Sequence, residues 1–206
     1  DMAGSDRHPL SGAGLVFSQN ICKFAVIMDI STQQEIERTV EALQRGETIL
    51  YPTDTIWGLG CDARDEEAVR RVFELKHRPS AKAMLLLAAD LEMVSRYVGA
   101  IPEAARRILA EATRPTTIIY DGARGIAPEL IADDGSVGFR IPDDEFCLEV
   151  CRRLGAPVVS TSANISGLQP PLTFSMIDPA VRDAADYACT IRRDVKKPAL
   201  PSNIYK

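Results

Sequence analysis

Short β-branched runs alternate with helix-periodic segments along most of this chain, and that alternation leaves few architectures open. Apolar runs at 48–51, 84–88, 116–120, 137–141, 157–161 and 187–191 read as strands. Between them, Ile36, Val40 and Leu43 share one helix face after a Ser31/Gln34 capping box, and Gly46 ends that helix. Asp65 caps a second helix bearing Val69, Val72 and Phe73. Leu91, Val94 and Val98 mark a third, and a fourth begins at Pro102 and runs to Ala112. Further helices are expected over 144–154 and 174–182. Strands interleaved with helices imply an α/β fold, a sheet with helices packed on it. The stretch 122–135 is the most loop-like interior segment and reads as a candidate flap.

A chain of 206 residues makes one such domain, or two small ones. With 46% hydrophobic and 26% charged residues it can bury a real core. A net charge of −5 argues against a general nucleic-acid coat, whose affinity would come from neutralising phosphates, while leaving a local basic patch open. Five cysteines with no C-x-x-C pair suit a reducing compartment and offer no zinc framework. No apolar run is long enough for a membrane span. Residues 1–27 read as a leader or disordered segment, and 28–206 as the domain.

Several constellations carry chemistry. Lys76-His77-Arg78-Pro79 leaves the second helix, with Lys76 continuing the apolar face of Val72 and Phe73 and Pro79 forcing Arg78 extended. Lys82 follows. These cations either solvate a helix terminus or converge on a polyphosphate. Pro52-Thr53-Asp54-Thr55 turns out of one strand into Ile56-Trp57-Gly58-Leu59-Gly60, where the glycines share a bare face and Trp57 and Leu59 face the core. Ser136, Gly138 and Arg140 share one face of a strand whose other face shows Val137, Phe139 and Ile141. An inward arginine needs an anion, either a structural carboxylate or a ligand. Ser160-Thr161-Ser162-Ala163-Asn164-Ile165-Ser166-Gly167 ends another strand, as a helix cap or as the wall of a ligand crevice. Cys147 and Cys151, four apart on a helix, read as core. No P-loop is present, and His77 is the one histidine outside the leader, so catalysis must come from positioning and electrostatics.

Taken together these segments resemble the YrdC/TsaC family of threonylcarbamoyl-AMP synthases. Its P-T-[DE]-T-x-[YW]-G-L-G, K-x-R-P, V-x-[VF]-R-[MI]-P and S-A-N-x-S-G motifs stand here at 52–60, 76–79, 137–142 and 162–167, in order. The resemblance implies a single domain with a twisted, open mixed sheet, flanking helices and a large positively charged concave surface. It implies a nucleotidyltransferase that joins L-threonine, bicarbonate or CO2, and ATP into threonylcarbamoyl-AMP and pyrophosphate, for N6-threonylcarbamoyladenosine on tRNA. It places Thr53, Arg140, Ser160 and Ser202 on threonine. Lys76, Arg78, Lys82, Ser136, Ser162 and Asn164 fall on the nucleotide, with Lys76 and Arg78 as the catalytic cations. Mg2+ would arrive with ATP rather than in a protein cage. A cytoplasmic protein, with RNA or tRNA at the concave face and tRNA-modification proteins as partners, follows from the same resemblance.

Three positions depart from the family pattern. Ala83 stands where K-P-L has proline, Arg114-Pro115-Thr116-Thr117 replaces P-G-P-x-T, and the sequence ends at Lys206 ahead of an R-x-G segment. The rival readings are a non-catalytic double-stranded RNA-binding or translation-associated module, and a YciO-like paralogue with an altered substrate.

Overall fold

A computed structural model describes residues 29–77, 84–196 and 201–206. The leader assigned to 1–27, and with it Arg78 and Lys82, lie outside the described residues. Fourteen elements follow in chain order: α1 Ile30–Gln44, β1 Ile49–Pro52, β2 Trp57–Gly60, α2 Glu66–Leu75, β3 Leu85–Leu87, α3 Leu91–Tyr97, α4 Glu103–Glu111, β4 Thr116–Tyr120, β5 Val137–Arg140, α5 Glu145–Leu154, β6 Val158–Ser162, α6 Pro179–Ala184, β7 Tyr187–Ala188 and β8 Asn203–Tyr205. Five of these helices start on an aspartate (Asp29, Asp65, Asp90, Asp144 and Asp178) whose carboxylate accepts a backbone N–H of the first turn. The capping box expected at Ser31 is therefore moved: Asp29 caps α1, and Ser31 sits inside the first turn and donates to it.

The strands form one mixed eight-stranded sheet in the order β7-β1-β2-β6-β3-β5-β4-β8, which is the α/β layout the alternation implied. Its register assigns side chains to faces, because residues directly opposite one another share a side. Gly58 lies opposite Ser162, Ser160 opposite Leu85, Leu87 opposite Arg140, and Arg140 opposite Thr117. That row of glycine, hydroxyl, leucine and arginine positions is one face. The other carries Leu59, Val159, Leu86, Phe139 and Ile118, all buried. Burying several such chains at about 1.5–3 kcal/mol each is what holds the sheet to its helices. Helix α5 is seated across the sheet by Cys147, whose Sγ is 3.5 Å from the Pro52 carbonyl, and by Cys151, 3.6 Å from that of Leu87.

Three expectations are corrected. The stretch 122–135 is not a flap: Ile126, Ala127 and Leu130 are buried, a short 3-10 turn spans Pro128–Leu130, and the Ala127 N–H donates to the Ala63 carbonyl at 2.8 Å. The helix expected over 174–182 is split into a 3-10 turn at Phe174–Met176 and α6, because Pro179 can start a helix but not continue one. The strand expected over 187–191 pairs with β1 at only two positions. Strand β8, paired in parallel with β4, was not foreseen.

Candidate active site

The Pro52-to-Trp57 turn is built by one hydroxyl. Thr53 Oγ1 accepts from the N–H of Thr55 at 3.1 Å and of Ile56 at 3.2 Å, and donates to the Ile56 carbonyl at 2.7 Å. This satisfies a tight chain reversal between antiparallel strands β1 and β2. The glycine face of the next strand is tightly covered. A Cβ on Gly60 would lie 2.1 Å from the carbonyl oxygen of Val159, and one on Gly58 would meet the Tyr51 ring at 3.2 Å. Gly60 serves backbone approach, whereas Gly58 faces the cleft described next.

That cleft, of about 670 Å³, opens on the face set by the register. Its wall includes Thr53, Thr55, Gly58, Thr117, Arg140, Ser160, Ser162 and Ser202. Hydroxyls thus surround a guanidinium. Arg140 is 5% exposed, and its Nη1 lies 3.2 Å from Oδ1 of Asp54, whose side chain is 7% exposed. The contact has ion-pair distance without hydrogen-bond direction, and both Asp54 Oδ1 and Arg140 Nε are buried with no hydrogen-bond partner. An unsatisfied buried polar atom costs about 1–3 kcal/mol, so two of them on one ion pair set this contact apart from an ordinary structural salt bridge. Across β4, Thr117 Oγ1 donates to Ser202 Oγ at 3.0 Å, which brings β8 to the cleft rim. Of the residues assigned to threonine, the structure brings Thr53, Arg140, Ser160 and Ser202 together. The Thr53 hydroxyl is already committed to its turn. Two contributors were missed: Asp54, hidden in a turn motif, and Thr117, whose place opposite Arg140 depends on register.

The residues assigned to the nucleotide are more scattered. Lys76 is buried at 1% exposure, and its Nζ donates to the carbonyls of Ser162 and, at 2.7 Å, Asn164. It ties the end of α2 to the loop after β6. Asn164 closes that loop from within, its Nδ2 donating to the Leu168 carbonyl at 2.5 Å. Ser162 lines the cleft, but Lys76 and Asn164 stand behind its wall. Ser136 lies at the far end of the Arg140 strand, where its Oγ donates to Asp134 at 2.6 Å.

Nucleophilic chemistry has little support. Burial pushes the thiols of Cys61 and Cys147 well up, and that of Cys151 to about 12, so these are core thiols rather than reactive ones. Burial also raises the Tyr51 phenol beneath the glycine strand. The expectation that Cys147 and Cys151 are core residues is met.

A Sua5/YciO/YrdC family model, described as "Telomere recombination", matches residues 41–206. This chain belongs to that family. A Stenotrophomonas maltophilia protein named threonylcarbamoyl-AMP synthase is 37% identical over 147 residues, spanning 70% of this chain and 79% of the relative. Among solved structures, P. abyssi Sua5 complexed with L-threonine matches with a TM-score of 0.71 at 25% identity, over 78% of this chain and 47% of Sua5. E. coli YciO matches with a TM-score of 0.68 at 26% identity, over 76% and 77% of the two chains. The open mixed sheet is therefore the Sua5/YciO/YrdC fold, as the four motifs implied. No helix among the described residues is long and apolar enough to cross a membrane.

Proposed function

We propose that this chain is a nucleotidyltransferase that makes threonylcarbamoyl-AMP and pyrophosphate from L-threonine, bicarbonate or CO2, and ATP. The observation that carries the reading is Arg140, a largely buried cation among the residues that line a hydroxyl-rich cleft. Its fixed charge suits the α-carboxylate of an amino acid, and Ser160, Thr117 and Ser202 can donate to the same substrate. The relatives' name and the threonine in the Sua5 complex support the choice of amino acid.

The chemistry needs no protein nucleophile. The threonine amine forms a C–N bond to the carbon of CO2 and loses a proton to solvent, leaving a carbamate. A carbamate oxygen then attacks the α-phosphorus, and the α–β bridging P–O bond breaks with its electron pair leaving on pyrophosphate. The protein's part is to hold the two substrates in line and to balance charge. In this reading Ser162 faces the nucleotide, Lys76 and Asn164 hold the loop that carries it, and Ser136, Arg78 and Lys82 complete the phosphate side. Mg2+ would arrive with ATP and supply charge neutralisation of the phosphates. The product serves tRNA modification in the cytoplasm, with RNA and pathway proteins as partners at the concave face.

The test is pyrophosphate release measured with each substrate omitted in turn. Release that needs threonine, bicarbonate and ATP together supports the proposal. ATP turnover indifferent to threonine would favour a YciO-like paralogue, a reading kept open by the comparable match to E. coli YciO.

A further inference from the structure

The structure assigns Asp54 as a positioning residue: it holds the Arg140 guanidinium by one end, and so sets how that guanidinium meets a substrate carboxylate. The inference rests on Arg140 being the carboxylate partner. Asp54 and Arg140 touch, yet they line different hollows. Arg140 lines the hydroxyl-rich cleft, whereas Asp54 lines a second hollow of about 610 Å³ together with Leu109, Arg114 and Ile141. Asp54 is not among the residues that line the cleft, so its effect on a ligand there is exerted through the arginine.

The contact has the form expected of a positioning charge. Asp54 Oδ1 comes to 3.2 Å from Nη1 and takes no hydrogen bond from it. Attraction without direction restrains a guanidinium while leaving its donors uncommitted, and Nε is left without a partner. The carboxylate is itself held in place. Its backbone belongs to the turn closed by the Thr53 hydroxyl, and its Oδ2 accepts from the Asp143 N–H at 3.4 Å. Asp143 follows Arg140 on the same strand exit, so the turn after β1 and the end of β5 are tied at both atoms of one carboxylate. A guanidinium clamped this way enters the cleft in one orientation, whereas an untethered one would sample several rotamers and lose affinity for a planar anion.

A purely structural ion pair would affect stability and nothing else, so the test needs a readout blind to general damage. L-Threoninol, in which CH2OH replaces the carboxylate, provides it. Calorimetric titrations of L-threonine and L-threoninol into the wild type, Asp54→Asn and Asp54→Glu give six dissociation constants. In the asparagine variant the threonine constant is expected to rise about tenfold or more, with the threoninol constant unchanged. In the glutamate variant, which keeps the charge, threonine binding is expected to return to within about threefold of wild type. Wild-type threonine affinity in Asp54→Asn, or an equal loss for both ligands, overturns the inference. A wild type that binds neither ligand, or both alike, overturns instead the reading of Arg140 and takes this inference with it. If Asp54→Asn does not fold, Asp54→Ser carries the same comparison.

Discussion

The Nζ of Lys76 lies 2.7 Å from the carbonyl oxygen of Asn164, so the end of α2 and the loop after β6 are joined through a buried ammonium. The Ser166 N–H returns the bond to the Lys76 carbonyl at 3.1 Å. One residue thus fastens the loop by its side chain and its backbone.

Lys76→Met keeps the length and apolar stem of the side chain but leaves the Ser162 and Asn164 carbonyls without their donor. Hydrogen bonds to a charged group contribute about 1.5–3 kcal/mol. Scanning calorimetry should show the melting temperature lowered by roughly 3–12 °C, at about 2–4 °C per kcal/mol for a domain of this size. An unchanged melting temperature would mean that the ammonium does not hold the loop.

Gly60→Ala should be among the most damaging single-methyl changes in the chain. The added carbon would sit 2.1 Å from a backbone oxygen, that of Val159, which cannot rotate away. Separating β2 from β6 to relieve it should cost about 3 kcal/mol or more. Gly58→Ala, whose nearest neighbours are side-chain atoms of Tyr51 and Thr53 at 3.2 and 3.3 Å, should cost less. Urea denaturation of the pair reads the difference, and equal midpoints would contradict the assigned register.

Glu35 gives stability a pH dependence. The residue is buried, which alone would push its pKa up, but hydrogen bonds from Thr190 and Tyr187 outweigh burial and leave it below its ordinary 4.5. A carboxylate depressed in the folded state stabilises fully above the unfolded value and loses that contribution as pH falls through the folded one. Glu35→Gln should therefore be less stable than wild type by about 1–3 kcal/mol at pH 7. The gap should narrow once pH drops below 4.5. Urea midpoints across that range test it, and a gap that widens in acid would reverse the sign.

Thr117→Val removes the hydroxyl that reaches Ser202 while preserving a β-branched strand residue. The fold should persist, and the KM for threonine should rise about three- to tenfold, the equivalent of one hydrogen bond. An unchanged KM would take Thr117 and Ser202 out of the amino-acid site.

Much of the layout was legible because periodicity reports burial directly. Val137 and Phe139 alternating with Gly138 and Arg140 placed the arginine on the face opposite the apolar one, and the register agrees. Lys76 continues the apolar face of Val72 and Phe73, and its burial corrects the alternative of a solvated helix terminus. Its acceptors could not be read, since they are backbone carbonyls and every residue carries one. Asp54 was hidden for a related reason: an aspartate in a turn looks like an Asx cap until the fold brings Arg140 beside it. Composition misled at 122–135, where Gly and Asp suggested a loop while Ile126, Ala127 and Leu130 were packing it down. Strand β8 is three residues long, too short for a period to register.

The central claim is that Arg140 receives the carboxylate of threonine during adenylylation. Steady-state pyrophosphate release by wild type and Arg140→Lys, with threonine and ATP varied separately, tests it most directly. Lysine keeps the charge but loses the planar fork, so the threonine KM should rise about thirtyfold or more while that for ATP stays within about threefold. A threonine KM left at the wild-type value, or an equal rise for ATP, would contradict the assignment.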